Sequence, residues 1–355
     1  MSERVQAAAE AGHVRPGHEI DTGRLGNYLR TTIAGFPAAY RLRQFEGGQS
    51  NPTYLIEAGG RAFVLRKKPP GHLLPSAHQI EREYRIMSAL QETEVPVPRL
   101  FGLCEDAGIV GTPFYVMQRV EGRIFRDTRL PQLEARDREG IYLSMASTLG
   151  RLHEVDWKAS GLSDFGRPDD YVRRQVERWS KQYKASVRQP IPEMDRLMEW
   201  LPRNMPDEVA PTIVHGDYRL ENLIFSSTGA GVVAVLDWEL ATLGNPFCDL
   251  AHNAMKYRLP AAVTSVGGLA DVDIAASGIP SEARYLDAYC RATGRDLIPN
   301  WDYYLAFALF RCAAILQGVH ARALDGNASS AQALHVGAMA VPVARAAWSQ
   351  AAKFG

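Results

Sequence analysis

The chain has 355 residues, 46% apolar and 23% charged, which allows a large core and, by length, two domains or one domain with two lobes. Forty Lys and Arg balance forty Asp and Glu, which argues against a protein that coats nucleic acid through many phosphate-neutralising cations and against a polybasic membrane anchor. Four cysteines (Cys104, Cys248, Cys290, Cys312) stand far apart, with no CxxC or zinc-ligand spacing, and read as free thiols of a reducing compartment. Met1 to Gly12 carries no apolar signal region, and the most apolar stretch, Leu305–Leu316, is short and contains Arg311; the expectation is a soluble, cytoplasmic protein.

In chain order, residues 1–24 read as a loose arm. A short helix is expected from Leu25 to Ile33, a strand over Tyr40–Phe45, and a glycine-rich turn at Glu46–Pro52. Thr53–Ala58 and Arg61–Arg66 form a hairpin around Gly59-Gly60. A helix follows over Ala77–Glu92, with Ile80, Tyr84 and Met87 at helical spacing, and ends before Pro96 and Pro98. Strands near Arg99–Glu105 and Pro113–Arg119 complete a first lobe, 25–120. From 121 to 355 the pattern is mostly helical: Leu133–Val155, Tyr171–Tyr183 and nearly all of Ser281–Phe354. One β island interrupts it, with strands at Thr212–Val214, Leu223–Phe225 and Val232–Trp238, the last apolar enough to be buried on both faces.

Polar residues cluster where the strands of that island begin and end. His215-Gly216-Asp217-Tyr218-Arg219-Leu220-Glu221-Asn222 is followed, fifteen residues after Asn222, by Asp237-Trp238-Glu239. Asp217, Asn222 and Asp237 are three oxygen donors that could bind one or two hard cations, and one carboxylate kept off the metals is free to orient a hydroxyl proton. Phosphoryl transfer from a magnesium nucleotide needs this division, because its catalysis is mainly positioning and charge neutralisation.

These segments resemble the catalytic and metal-binding loops of the aminoglycoside phosphotransferase and choline kinase-like superfamily, relatives of the protein kinases. Glycine at 216 and Trp238-Glu239 after Asp237 fit the small-molecule branch, and no activation segment follows. The resemblance covers roughly residues 40–255. It implies an α+β, bilobal, protein-kinase-like fold, with a small antiparallel β-sheet lobe carrying one long helix and a larger, mostly helical lobe. ATP and Mg2+ are the implied cofactors. Gly48, Ser50 and Asn51 would close over the phosphates, and Arg66 would grip them where lysine is usual, with Lys67 as the alternative cation. Glu83 would hold that cation. The Gln118 carbonyl and Val120 amide would pair with adenine, Asn222 and Asp237 would hold the metal, and Asp217 would act on the acceptor hydroxyl. Wording such as Ser50-Asn51-Pro52-Thr53, Val64–Gly71 and Asp237–Thr242 is most similar to the kinase-like domain fused to acyl-CoA dehydrogenases, of which a free-standing version is the expectation here.

That similarity implies a small anionic acceptor such as a hydroxyacyl-CoA or hydroxy acid, with an aminoglycoside, sugar or amino alcohol as the alternative and a non-catalytic nucleotide binder as the reading of another class. Residues 165–188 carry seven Lys/Arg against three acids, either a solvated basic face or a dock for a polyanion. Arg311 must pair with a core carboxylate or face substrate. Trp301, Tyr304 and Arg174 are further candidates for the acceptor pocket.

Overall fold

The computed structural model describes residues 11–45, 51–71, 79–263, 266–326 and 332–354. The turn holding Gly48 and Ser50 and the start of the helix expected at Ala77 lie outside the described residues. The chain divides into two compact units: residues up to Phe125 with Ser160–Leu162 and Leu220–Ala241, and Arg126–Ala159 with Ser163–Arg219 and Thr242 onward. The sequence reading had put everything after residue 120 in the second lobe. The segment with Asn222 and Asp237 clusters instead with the first unit.

The first unit is built on a six-stranded antiparallel sheet in the spatial order Ala11–Gly12, Arg41–Phe45, Thr53–Ala58, Arg61–Lys67, Phe114–Gln118, Leu100–Cys104. Alternation along Arg61–Lys67 sends Phe63 and Leu65 to one face, where they pack with Leu25, Leu29, Ile33 and Phe36. Full burial of each such side chain contributes about 1.5–3 kcal/mol. Residues 11–24 are not a loose arm: Ala11 and Gly12 pair with Phe45 and Gln44, the Tyr54 hydroxyl donates to the His18 carbonyl, and Asp21 caps the helix Thr22–Thr32. On the opposite face lies the helix Ile80–Leu90, with Ile80, Glu83, Ile86, Met87 and Leu90 buried.

In this unit Leu223–Phe225 and Val232–Val235 form a hairpin. The strand expected to run to Trp238 stops at Val235, because Asp237 adopts a left-handed conformation (φ 65°, ψ 60°) and opens a short 3-10 turn, Trp238–Leu240. Val233 is exposed, so the strand is not buried on both faces. The turn Trp238–Leu240 packs on the helix Ile80–Leu90, which brings Asp237 to Glu83 and its partners.

The second unit centres on the helix Trp301–Leu324, buried on almost every side although long and apolar enough to cross a membrane by length and composition alone. It packs against the helices Tyr171–Ser186, Pro246–Ala254, Ala333–Ala338 and Ala340–Ala351, while Ala135–His153 packs on Glu282–Thr293. Thr212–Val214 pairs antiparallel with Thr242–Gly244 and ends at His215. The helices Pro192–Arg203 and Pro246–Ala254, each started by a proline in its first turn, were not anticipated from sequence.

Candidate active site

In the first unit one cation is surrounded by carboxylates. Arg66 leaves the sheet on the face opposite Phe63 and Leu65, and its Nε lies 2.9 Å from Glu83 Oε2. Its Nη2 lies 3.0 Å from Asp237 Oδ1 and 3.7 Å from Glu239 Oε2. Burial opposes the guanidinium charge, but Glu83, Tyr115, Asp237 and Glu239 together hold Arg66 more firmly protonated than usual. Glu83 is almost wholly buried, and desolvation pushes its pKa up against the pull of Arg66 and Tyr115. Its oxygens are saturated: Oε1 accepts from Asn51 Nδ2 at 2.9 Å, and Oε2 from the Tyr115 hydroxyl at 2.9 Å. Such a carboxylate is locked in one orientation and locks Arg66 in turn.

Lys67 points the other way. Its ammonium donates to the Val110 carbonyl, and burial lowers its pKa. The period-2 alternation of the strand therefore decides between the two cations, and the one against Glu83 is Arg66. Asp237 owes its position to the left-handed turn, a conformation Asp tolerates better than most residues and one that recurs at functional sites. The Asn222 carbonyl accepts from the Leu236 amide at 2.8 Å, tying the two candidate metal residues across the hairpin. Among the described residues no group of three or more His, Cys, Asp or Glu could hold a metal by itself. A carboxylate and an amide oxygen instead fit Mg2+, which keeps several waters and takes further oxygens from substrate phosphates.

In the second unit the loop after Val214 is gripped by one helix. Asp249, His252 and Asn253 follow at i, i+3 and i+4 and so share a face of Pro246–Ala254. Asp249 Oδ2 and Oδ1 accept the amides of His215 (2.7 Å) and Gly216 (2.9 Å). Burial would raise the Asp249 pKa, but His153, His215 and these amides outweigh it and hold the carboxylate ionised. Asn253 Nδ2 donates to the Tyr218 carbonyl at 2.9 Å, and its own carbonyl accepts from the Tyr285 hydroxyl at 2.6 Å. His252 Nε2 lies 3.3 Å from Asp217 Oδ1. Gly216 takes φ +83°, a left-handed value that glycine adopts without strain. The Asp217 amide donates to His215 Nδ1 at 3.2 Å, and Arg219 Nε lies 3.3 Å from Asp217 Oδ2. Burial alone would raise the Asp217 pKa, but the hydrogen bond from His252, with Arg219 and His215 nearby, brings it down to about 2.

Arg311 completes this loop. Its Nη2 donates to the Gly216 carbonyl at 2.8 Å and its guanidinium lies 5.4 Å from the Trp179 ring centroid. The phosphotransferase enzyme family model matches residues 41–307. The chain belongs to this phosphotransferase family. It is 51% identical over 343 residues to acyl-CoA dehydrogenase family member 10 of Mus musculus, covering 96% of this chain and 32% of that protein. It is 42% identical over 330 residues to the Homo sapiens family member 11, covering 91% and 42%. The phosphotransferase therefore spans less than half the length of these curated relatives. Among solved structures, a Ralstonia eutropha protein classed as an aminoglycoside phosphotransferase is 45% identical with a TM-score of 0.87, covering 95% of this chain and all of that one. A thermostable mutant of APH(4)-Ia, solved with AMP-PNP and hygromycin B, shares the fold at 14% identity and a TM-score of 0.61, covering 93% and 99%. The mixed α+β, kinase-like architecture is thereby established, and with it the fold of a small-molecule kinase.

Several other residues expected at the phosphotransferase's site have partners or positions of their own within the fold. Asn51 is fully buried, with its side-chain amide on Glu83. Gln118 ends its strand with its amide on the Arg99 carbonyl, and Val120 follows in the half-buried loop. Arg311 pairs with a backbone carbonyl rather than a core carboxylate. Tyr304 is buried, its hydroxyl accepting from Asn245 Nδ2 at 3.1 Å, and the Trp301 indole donates to Glu282 at 3.2 Å. Both have hydrogen-bond partners within the fold. Trp301 lies ten residues from Arg311, about 15 Å along a helix axis. Arg174 donates to the Arg167 carbonyl at 2.6 Å and so braces its own loop. Asp249, His252 and Asn253 were missed, although three polar residues on one face of an otherwise apolar helix were a visible signal.

Proposed function

We propose that the chain transfers the γ-phosphate of ATP to a hydroxyl of a small anionic acceptor, a hydroxyacyl-CoA or hydroxy acid. Magnesium–ATP supplies the phosphoryl group and neutralises part of its charge. Asn222 and Asp237 hold the magnesium, and Arg66, fixed by Glu83, binds the α- and β-phosphates. Asp217 orients the acceptor hydroxyl and accepts its proton. A carboxyl held near 2 is a weak base, so its contribution is mainly orientation, with proton transfer late, as suits a loose phosphoryl transition state. The observation that carries this reading is the buried Arg66–Glu83 pair, completed by Asn51 and Tyr115 and reaching Asp237.

An acyl acceptor is favoured by the acyl-CoA named in the curated relatives. The second reading, an aminoglycoside acceptor, is favoured by the class of the Ralstonia eutropha structure. The test is mass spectrometry for added phosphate on a pool of hydroxy acids, hydroxyacyl-CoAs, aminoglycosides and amino alcohols, with ATP and magnesium. Phosphate on an acyl or hydroxy-acid member is expected. Phosphate on an aminoglycoside alone selects the second reading, and no product together with no ATP binding overturns both.

A further inference from the structure

Of the three polar side chains on the inner face of Pro246–Ala254, two hold backbone groups of the loop, and the third, His252, meets the Asp217 carboxylate itself. A carboxylate can only accept, so the hydrogen in this contact belongs to Nε2 and the ring is the Nε2–H tautomer. Nδ1 then carries the lone pair, and it is buried without a hydrogen-bond partner among the described residues. Protonating it would create a second buried donor with nothing to receive it. Burial and the charge of Arg311 also push the His252 pKa down, against the opposing pull of Asp217 and Asp249. The imidazole is therefore a neutral donor whose side chain is only 12% exposed.

We propose that His252 is a positioning residue for the phosphotransfer step: its Nε2–H fixes Asp217 Oδ1 and so presents Oδ2 to the acceptor hydroxyl. Oδ2 is the oxygen that faces the partly exposed Arg219 guanidinium. The proton that leaves the hydroxyl goes to Oδ2, and His252 keeps its own. A neutral donor is suited to this because it sets the carboxylate's rotamer without drawing a full positive charge to the reacting oxygen. Arg311 steadies the same loop from the other side through the Gly216 carbonyl. The inference rests on the assignment of Asp217 to the acceptor hydroxyl, and the test separates the two.

The experiment compares wild type, Asp217→Asn, His252→Phe and His252→Gln in magnesium-dependent ATP hydrolysis by the full chain, with water as acceptor. Calorimetric ATP affinity and thermal unfolding are measured on each protein. Glutamine places an amide N–H near the position of imidazole Nε2, whereas phenylalanine fills the space without a donor. His252→Phe is expected to lower kcat by about 10- to 100-fold, the scale of a displaced reacting group, with ATP affinity within about twofold. His252→Gln should recover most of the loss. If Asp217→Asn turns over like wild type, the reading of Asp217 fails. If Asp217→Asn is impaired while folded His252→Phe keeps full kcat, or His252→Gln is no better than His252→Phe, the positioning role fails. Should water prove too poor an acceptor, nitrogen-15 histidine NMR decides: an Nε2–H tautomer that stays neutral through pH 6 supports the proposal, and an Nδ1–H tautomer overturns it.

Discussion

Glu83 shows what a single residue contributes. It is buried, accepts from Arg66, Asn51 and Tyr115, and is the fixed point from which Arg66 extends to Asp237. Removing one charge of a buried pair costs about 3–5 kcal/mol, because the partner charge is left without compensation. Glu83→Gln should therefore lower stability, although Asp237 and Glu239 would retain part of the Arg66 interaction. It should also weaken magnesium–ATP binding about tenfold, since a guanidinium drawn further to Asp237 competes with both phosphate and metal. Calorimetric affinity equal to wild type would remove Arg66–Glu83 from the nucleotide site. At this scale short motifs single out Asp217, Asn222, Asp237, Arg66 and Glu83 in the sequence, and Arg66, Glu83 and Asp237 meet in the fold. Tyr304 and Trp301 are harder to read, because composition cannot distinguish an aromatic packed in the core from one lining a pocket. Asn51 was read as a phosphate donor, but its partner is 32 residues away, a distance no local pattern reports.

At the scale of elements, the segment Pro246–Arg258 carries two buried charges with opposite consequences. Asp249 is ionised and satisfied by two loop amides and by His153, which lies 3.6 Å away and is itself bonded to the Tyr289 hydroxyl at 2.7 Å. Lys256 has ring faces instead: Tyr142 at 4.8 Å and Tyr285 at 5.9 Å from its ammonium. Burial pushes the Lys256 pKa down to about 7. The unfolded chain holds that proton up to about 10.4, so between about pH 7 and 10 the unfolded state binds more protons and stability rises with pH. Asp249→Ala should cost about 3–5 kcal/mol. Lys256→Met should stabilise by about 1–3 kcal/mol at pH 7, after allowance for the lost cation–π contacts, with a smaller gain at pH 10. Chemical denaturation at both pH values checks the pair; a Lys256→Met variant less stable at pH 7 than wild type would contradict the desolvation argument. The strands and long helices were legible because alternation and helical periodicity are local. The left-handed turn at Asp237, which cuts the expected strand short, was not, nor were the partners of the polar face of Pro246–Ala254, which lie 33 to 35 residues back.

For the whole molecule, equal numbers of cations and anions proved uninformative about partners, because the charges are used locally. Arg66 is committed to carboxylates, Arg311 to a carbonyl of the loop, and Arg174 to its own loop. The sequence reading expects two lobes, and the chain forms two compact units. It did not foresee that Leu220–Ala241 belongs with the sheet, since three-dimensional clustering there overrides chain order. The phosphotransferase account rests on Asp217 acting on the acceptor while nucleotide is held by other residues. The direct measurement is ATP affinity alongside phosphate-transfer rate in Asp217→Asn. The account expects affinity within about twofold of wild type and a rate lower by about 10²–10⁴-fold, whereas a rate equal to wild type in a folded Asp217→Asn protein would contradict it.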